Sequence, residues 1–238
     1  MEKLTGKTVL IAGATGGIGR ETAHLLASSG AHLFLLGRNQ AALEALGTEL
    51  RVSANHLFVN DITQAHDVES AAARIHAEIG HLDVLVNAVG IGIIKPLESL
   101  TNDDFMQSLN VNLVGAFNLL KAFLPPMKEQ KKGLIINLPG VLGKTPMAGA
   151  AAYSASKYGL NGMLKSVREE LKRTDIRITN IFLGGTDTPF WDTIDLRVQR
   201  DKFVTAQEAA RAIWFLCQQP SSGVVSEMVL QPFNHQAI

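Results

Sequence analysis

The stretch Thr8-Val9-Leu10-Ile11-Ala12-Gly13-Ala14-Thr15-Gly16-Gly17-Ile18-Gly19 decides the fold of this 238-residue chain. Its first five residues are a short apolar run typical of a buried strand, and a helical pattern through Leu25 and Leu26 follows the glycines. Glycines let the backbone come close to a diphosphate, whose charge then meets the unpaired amides at the helix N-terminus. A glycine run alone is more often a tight turn, but here it opens a βαβ unit.

The rest of the chain repeats this alternation of apolar runs and helical patterns. Further strands are predicted at 32–36, 56–59, 82–86, 134–138, 177–182 and 228–230. Helices are predicted at 40–52, 65–79, 103–124, 153–173 and 207–218, with Pro125-Pro126 ending the helix 103–124. Nearly continuous apolar strands between helices are typical of a parallel sheet covered on both faces. We therefore predict one α/β domain over residues 1–238, a Rossmann-type, doubly wound sheet of seven parallel strands.

The composition excludes several classes of function. Lys plus Arg and Asp plus Glu number 22 each, which gives no electrostatic case for binding nucleic acid or an anionic membrane. The seven histidines form no His-x-x-x-His pair and no Cys/His cluster, so no metal site is predicted. Cys217 is the only cysteine, and the apolar run 9–12 is too short for a signal peptide or a membrane span. We expect a cytoplasmic enzyme whose partner is a small molecule.

The residues that follow the second and third strands predict which nucleotide is bound. An acidic residue after the second strand would bind the ribose diol of NAD, whereas an arginine can pair with the 2′-phosphate of NADP. This chain has Gly37-Arg38 there, so NADP(H) is favoured over the alternative that Arg38 simply points into solvent. We expect Asp61 and Ile62 to border the adenine, although Asp61 or Thr63 could instead cap the next helix.

Tyr153 and Lys157 are four residues apart in a helical pattern, so their side chains share one face. An unperturbed phenol has a pKa of about 10 and is a poor acid near neutrality. A neighbouring ammonium would lower that pKa, which makes Tyr153 a candidate general acid for an oxygen that becomes an alcohol. In isolation, a Tyr-x-x-x-Lys pattern more often marks two ordinary surface residues.

Two further segments carry apolar side chains that the sheet does not need. The helix 103–124 is apolar on two sides, so we predict that one side covers the sheet and the other forms a subunit interface. The segment 186–200 is of mixed character and includes Phe190 and Trp191, which indicates a mobile lid or a pocket wall. An apolar pocket favours a hydrophobic substrate of medium size over a sugar phosphate.

With these motifs placed, the chain resembles the short-chain dehydrogenase/reductase family over essentially its whole length, and its NADP-preferring branch at Gly37-Arg38. The motifs that carry the resemblance are Gly13-x-x-x-Gly17-x-Gly19, Asp61, Asn87-Ala88-Val89-Gly90, Asn112 in Asn-Leu-Val-Gly, Tyr153-x-x-x-Lys157, Gly184 and Thr188. The cofactor-binding residues that it implies are Gly13, Thr15, Gly16, Gly17, Ile18, Gly19, Arg38, Asp61, Ile62, Asn87, Gly90, Tyr153, Lys157, Gly184 and Thr188.

The resemblance also implies what each residue near the reacting carbonyl does. Tyr153 would give a proton to the substrate oxygen in reduction and remove one in oxidation. Lys157 would lower the tyrosine pKa and hydrogen-bond the nicotinamide ribose, while Asn112 would hold a water in a proton relay behind the lysine. Thr188 would contact the nicotinamide carboxamide. Members of the family commonly pair the helices matching 103–124 and 153–173, so a homotetramer or homodimer is expected.

One departure from the family pattern bears on activity. The family normally has a serine thirteen residues before the tyrosine, where it hydrogen-bonds the substrate oxygen, but this chain has Gly140. Removing one such donor costs on the order of 10²–10³ in rate when nothing replaces it. Three explanations are open: the Thr145 hydroxyl replaces it, the substrate brings its own hydroxyl or a water, or the protein binds NADP without turnover. Smaller departures are Ala88 for asparagine and Leu183 for proline.

Overall fold

The computed structural model describes residues 3–234, and a sheet of seven parallel strands forms its centre. The strands of this sheet are β1 Thr8–Ala12, β2 His32–Gly37, β3 Leu57–Val59, β4 Val84–Asn87, β5 Lys132–Asn137, β6 Asp175–Leu183 and β9 Glu227–Leu230. Two short strands, β7 Thr186–Asp187 and β8 Val204–Thr205, pair with each other. The helices are α1 Gly17–Ser28, α2 Gln40–Leu50, α3 Ala65–Ile79, α4 Asn102–Leu109, α5 Gly115–Gln130, α6 Ala151–Glu170 and α7 Ala206–Leu216.

The order of the strands is β3-β2-β1-β4-β5-β6-β9, so the chain winds outward in both directions from β1. The predicted doubly wound, seven-stranded parallel sheet is confirmed. The order reverses between β1 and β4, which are neighbours with Leu10 paired to Leu85 and Ala12 paired to Asn87. In open parallel sheets a ligand crevice forms at this reversal, outside the carboxyl ends of the strands.

Both faces of the sheet are buried because successive strand residues point to opposite sides and almost all of them are apolar. On one face, Leu10, Leu85 and Ile135 pack among residues of α3, α5 and α6. On the other face, Ile11 and Ile136 pack among residues of α1, α2 and α7. Two separate hydrophobic cores therefore hold the strands in register, and they fix the positions of the strand ends that border the crevice.

The prediction that Pro125-Pro126 ends a helix is wrong, because α5 continues through both prolines to Gln130. Proline costs a helix one hydrogen bond per residue, but its fixed φ is itself helical. The fully buried Met127 keeps the last turn in place, since its side chain packs against β5 at Gly133. A Cβ at Gly133 would lie only 2.6 Å from the Met127 sulfur. Tertiary packing here outweighs the two missing donors.

The long helical segment is apolar on two sides, as the sequence predicts. Ala116, Leu120 and Phe123 are buried against the sheet, while Met106 and Phe117 are about half exposed on the other side. A role for this exposed face as a subunit interface stays a prediction. Except for the end of α5, every predicted element boundary lies within three residues of the observed one.

Between residues 3 and 234, no helix is both long enough and apolar enough to cross a membrane. Residues 1–2 and 235–238 of the predicted domain lie outside the described residues.

Candidate active site

A cavity of about 240 Å³ opens at the strand reversal, beside the carboxyl ends of β1, β2 and β4. Its lining residues are Gly13, Thr15, Gly16, Leu36, Gly37, Arg38, Asn39, Asn60, Asp61, Ile62, Ala88, Val89, Gly90 and Val111. Seven of the residues predicted to bind a cofactor are in this set: Gly13, Thr15, Gly16, Arg38, Asp61, Ile62 and Gly90. The sequence motifs from four different segments therefore meet at one place.

The glycine turn can bring a ligand close to the main chain because its glycines are needed for geometry. Gly13 has φ +81°, a value that other residues rarely adopt, and its carbonyl oxygen accepts the Gly16 amide at 3.0 Å. A Cβ at Gly19 would overlap that same carbonyl oxygen. Gly17 begins α1, the N-cap residue Gly16 makes no side-chain capping hydrogen bond, and the first amides of a helix have no partner within it. The turn is therefore shaped to bind an anion.

Arg38 lies at the outer end of the cavity, where two thirds of its side chain is exposed. Its guanidinium is 3.8 Å from the Asp61 carboxylate, a loose pairing for exposed groups. The other Asp61 oxygen accepts the amide and the hydroxyl of Thr63 at 2.9 Å each. Helix α3 has Gln64 as its N-cap residue, so the alternative that Asp61 or Thr63 caps it is wrong.

Tyr153 and Lys157 lie side by side on α6, with the Lys157 ammonium 5.6 Å from the centre of the Tyr153 ring. Lys157 is buried, with 3% of its surface exposed, and its ammonium donates to the Leu138 carbonyl oxygen at 3.1 Å. Burial lowers the pKa of Lys157 to about 8. Lys157 lies close to the cavity wall, because a Cβ built on Gly90 would be 3.2 Å from the Lys157 nitrogen.

The pKa of the Tyr153 phenol differs from the sequence expectation in direction. Burial raises this pKa, although the neighbouring ammonium was expected to lower it. The reason is that the protein surrounds the phenol and penalises its anion, while the ammonium binds the Leu138 carbonyl oxygen. Tyr153 therefore holds its proton at neutral pH, and it can give that proton up only if a neighbouring charge such as the Lys157 ammonium stabilises the phenolate.

Asn112 lies in a π-helical segment, Asn110–Val114, that interrupts the helix between α4 and α5. Such segments often occur at functional sites because they aim one side chain out of the regular pattern. The Asn112 amide accepts from the Ile91 nitrogen at 2.9 Å and donates to the Ile91 carbonyl at 3.0 Å. It also donates to the Ser156 hydroxyl at 3.0 Å. The side chain thus fixes the strand end beside Gly90 to α6, and the predicted water relay stays a prediction.

The comparison with protein families agrees with this geometry. The family model described as short chain dehydrogenase matches residues 7–198. The chain belongs to the short-chain dehydrogenase family. An uncharacterised oxidoreductase of Staphylococcus epidermidis is 30% identical over 232 residues, which cover 98% of this chain and all of that one.

Two solved structures of the same family are similar over nearly the full length of both chains. A metagenomic short-chain oxidoreductase in complex with NADP has a TM-score of 0.83 and 29% identity, covering 98% of this chain and 100% of that one. An alcohol dehydrogenase from Thermococcus sibiricus, complexed with 5-hydroxy-NADP, has a TM-score of 0.84 and 27% identity, covering 97% and 98%. These proteins are oxidoreductases, and the chain shares their family.

In this short-chain dehydrogenase, the segment 186–203 packs over the crevice and forms a wall of the pocket. We call this segment the lid. Thr188 seats against Gly17, and the Phe190 ring seats against Gly92 at a point where a Cβ would overlap it. The Phe190 ring centre lies 5.8 Å from that of Tyr153. The sequence identified Thr188 and Phe190, but it missed the glycine opposite Phe190.

Arg200 holds the lid together, and sequence reasoning missed it. Its guanidinium pairs with Asp187 and Asp192 at 2.6 Å each and donates to the Thr188 carbonyl oxygen at 3.1 Å. These ion pairs keep its pKa above the usual value for arginine. The only available signal was an arginine near two aspartates in a segment of mixed composition, a pattern that surface loops commonly share.

A row of buried amides near α6 was also missed, apart from Asn87. Asn87 donates to Asn137 at 3.2 Å across β4 and β5, and its own oxygen accepts the Val89 amide. Asn180 on β6 donates to Asn161 on α6, which donates to the Gly143 carbonyl oxygen at 3.1 Å. Asparagines in three neighbouring apolar strands, two of them at the strand ends, were the available signal. Asn87, one of the predicted cofactor residues, therefore links β4 to β5 and fixes the start of the loop that follows β4.

Gly184 and Ile18 lie slightly apart from the cavity wall. Gly184 packs against Pro232, and its amide donates to the Leu230 carbonyl oxygen at 2.8 Å. Ile18 packs at the edge of the core between α1 and the sheet.

Among residues 3–234, no group of three His, Cys, Asp or Glu side chains is arranged to hold a metal ion.

Gly140 lies directly beside the phenol, as its place in the sequence suggests. A Cβ built on it would be 3.8 Å from the Tyr153 hydroxyl oxygen and 3.4 Å from the Leu183 carbonyl oxygen. Gly140 has φ +71° and ψ 168°, a region that is essentially reserved for glycine. Gly140 and its two chain neighbours aside, these two oxygens are the only described atoms within 4 Å of that Cβ position. No atom of Thr145 is that close.

Proposed function

We propose that this protein is an NADP(H)-dependent oxidoreductase that interconverts a carbonyl compound and its alcohol, with Tyr153 as the general acid and base. The observation that carries the proposal is that the nucleotide cavity and the Tyr153–Lys157 pair meet at Gly90. Gly90 lines the cavity, and a Cβ built on it would lie 3.2 Å from the Lys157 nitrogen. The cavity would hold the nucleotide, and the pair would supply a proton at the end marked by Gly90.

The cofactor assignment rests on the residues at the two ends of the cavity. The amides of the glycine turn would bind the diphosphate, and the exposed Arg38 guanidinium would pair with a 2′-phosphate. Asp61 and Ile62 would border the adenine. Tyr153, Lys157, Asn87, Gly184 and Thr188 would surround the nicotinamide end. The NADP complexes of two relatives with the same fold support this choice.

The protein contributes the proton, while bound NADPH supplies the hydride. Tyr153 keeps its proton at neutral pH because burial raises its pKa. When the carbonyl carbon accepts the hydride, Tyr153 gives this proton to the developing alkoxide. The Lys157 ammonium, charged below about pH 8, then stabilises the phenolate that remains. In alcohol oxidation the same two side chains act in reverse.

A second candidate function is a protein that binds NADP without turnover. Gly140 favours it, because this position beside the phenol carries no hydroxyl to polarise a substrate oxygen. The intact Tyr153–Lys157 pair and the Asn112 clamp favour the enzyme, since a protein that only binds the nucleotide needs no proton donor.

NADPH oxidation against a panel of aldehydes, ketones and hydroxyketones separates the two candidates. We expect turnover on at least one carbonyl class, with NADPH preferred to NADH. Tight NADPH binding in a fluorescence titration, combined with no turnover on any member of the panel, would contradict the enzyme proposal and favour the binding protein.

We also propose that the protein assembles as a homotetramer, or at least a homodimer. Two separate apolar surfaces support two interfaces. One comprises the exposed faces of α4, α5 and α6, with Phe105, Met106, Val114, Phe117 and Tyr158. The other lies on α7 and β9, with Phe215 and Val229. A monomeric mass by light scattering at micromolar concentration would contradict the proposal. The cytoplasmic location stays a prediction.

A further inference from the structure

Four buried asparagine side chains form a row across β4, β5 and β6 and onto α6, and we call it the asparagine row. Its members are Asn87, Asn137, Asn180 and Asn161, and each is at most 8% exposed. In the strand register Asn87 pairs with Asn137 and Asn137 with Asn180, so these three amides lie side by side on the face of the sheet that α6 covers. Asn161 continues the row on α6, where its oxygen accepts the Asn180 amide at 3.2 Å.

The burial of this row has an energetic cost that apolar side chains would avoid. Two residues earlier in each strand, the same face of the sheet carries Leu85, Ile135 and Ile178, which all belong to the hydrophobic core. A buried amide loses its hydrogen bonds to water, so it is tolerated only where the protein replaces them. Leucine is similar to asparagine in shape and would fill the same space without that cost. The hydrogen bonds of the row therefore explain it better than packing does.

The amides of the row all donate in one direction. Asn87 donates to Asn137, and Asn180 donates to Asn161, at 3.2 Å each. Asn161 donates in turn to the Gly143 carbonyl oxygen at 3.1 Å. Between these two pairs, the Asn137 nitrogen and the Asn180 oxygen are buried without a partner among the described residues, and they are a donor and an acceptor on paired positions. The polarity of the row is therefore the same from β4 to α6.

The two ends of the row reach the cofactor half of the crevice and the phenol. At one end, the Asn87 oxygen accepts the amide of Val89, which lines the nucleotide cavity. At the other end, Asn161 binds the last carbonyl oxygen of the turn Gly140–Gly143. The first residue of that turn lies beside the Tyr153 hydroxyl, and its carbonyl oxygen accepts the last amide of the turn at 3.0 Å. The row thus connects the nucleotide loop to the turn beside the phenol.

We propose that Asn161 is a positioning residue for carbonyl reduction, because it holds the Tyr153–Lys157 face of α6 against β6 and against the turn Gly140–Gly143. This inference rests on the proposed reductase function. Tyr153, Lys157 and Asn161 follow one another at intervals of four residues, so their side chains share one face of α6. The turn comes very close to this helix, since a Cβ built on Gly143 would lie 3.1 Å from the Lys157 carbonyl oxygen. The bonds of Asn161 at this contact set the place of the phenol relative to the nucleotide loop.

Asn161→Ala tests the inference, because alanine favours the helix and removes both hydrogen bonds. A displacement of about 1 Å at a reacting group can cost on the order of 100-fold in rate, and the loss of one anchor should move α6 by less. We expect kcat for a carbonyl substrate to fall roughly tenfold, while the Kd for NADPH changes by less than about twofold. The matched control is Thr179→Val on the other face of β6, where a fully buried hydroxyl donates to the Val225 carbonyl oxygen at 2.7 Å. The control should lower the denaturant midpoint but keep the native kcat.

Asn180→Val supplies the second arm, because it removes the partner of Asn161 on β6. If the two residues act as one anchor, the double variant should lose no more of kcat than the more affected single variant, whereas independent residues would multiply their losses and overturn the inference. Should Asn180→Val not fold, the comparison of Asn161→Ala with Thr179→Val decides alone. A native kcat in Asn161→Ala, or a parallel loss of NADPH binding and turnover, would overturn the inference but leave the reductase function intact. No turnover by the native protein on any carbonyl would contradict both.

Discussion

The two halves of the crevice are built differently. The cofactor half, from Arg38 to Gly90, is an open cavity with four glycines in its wall, and glycine geometry holds its turn in place. The substrate half is covered by the lid, whose side chains seat on Gly17, Gly92 and Gly185. The first half is specified by local backbone conformation, and the second by contacts between distant segments. Substitutions in the two halves should therefore affect different kinetic constants.

Gly19→Ala should have the largest effect and should act on the cofactor half. The added Cβ would overlap the Gly13 carbonyl oxygen, and neither backbone segment can move without opening the glycine turn. We expect a loss of about 3 kcal/mol in the free energy of unfolding and at least about 100-fold weaker NADPH binding. Denaturant unfolding and a fluorescence titration measure the two.

The matched control is Gly162→Ala in α6, where nothing lies within 4 Å of the added Cβ. Alanine should stabilise this helix by about 0.5–1 kcal/mol and leave NADPH binding unchanged. If both glycine variants behaved alike, the turn at Gly19 would not depend on close backbone contact.

Arg38→Ala should rank second and should act on the choice of nucleotide. Loss of a charge-assisted pair with the 2′-phosphate is worth about 1.5–3 kcal/mol, so we expect NADPH to bind roughly 10- to 100-fold more weakly while NADH is little affected. Arg38→Lys keeps the charge but not the forked geometry and should lie between. An unchanged ratio of NADPH to NADH affinity would show that Arg38 simply extends into solvent.

Gly92→Ala should be smaller and should act on the substrate half alone. Its Cβ would displace the Phe190 ring and the Ile194 side chain, both of which are the far ends of side chains and can shift. We expect KM for the carbonyl substrate to rise about tenfold, while NADPH affinity changes little. A combined Gly92→Ala, Phe190→Leu variant should recover part of the loss. Equal losses in NADPH and carbonyl binding would remove the distinction between the two halves.

The pH dependence should show the smallest effect and should report on Lys157, where the halves meet. Its pKa is lowered to about 8, so the ammonium is charged below that pH and neutral above it. We expect kcat/KM for NADPH in the reduction direction, which reports on the free enzyme, to fall about fourfold from pH 7 to pH 8.5. Tyr153 should not contribute, because burial raises its pKa. A rate that rises over this interval would contradict the assignment.

The fold and the cofactor half could be predicted from the sequence because their signals are local. An apolar strand run is visible within a few residues, and the turn glycines and Arg38 follow their strands directly. The end of α5 could not be predicted, because the helix continues past Pro126 through the packing of Met127 on a glycine of the neighbouring strand. Met127 and Gly133 come into contact only when α5 packs against β5, so the sequence alone does not reveal it.

The substrate half shows the same limit. Phe190 was recognisable as a pocket residue, but Gly92, nearly one hundred positions earlier, gave no sign that it receives the ring. Arg200 looks like an ordinary surface arginine until three lid groups converge on it. The phenol pKa was predicted in the wrong direction, because a sequence reveals a neighbouring cation but not the protein that surrounds the hydroxyl.

The measurement that tests the central claim most directly compares the native protein with Tyr153→Phe, measuring NADPH binding and carbonyl turnover on the same samples. Phenylalanine keeps the ring against Phe190 and removes only the hydroxyl that lies beside Gly140. The account predicts unchanged NADPH affinity and a fall in kcat of at least about 100-fold. Turnover that survives in the variant at a native rate would contradict the role of Tyr153 as the proton donor.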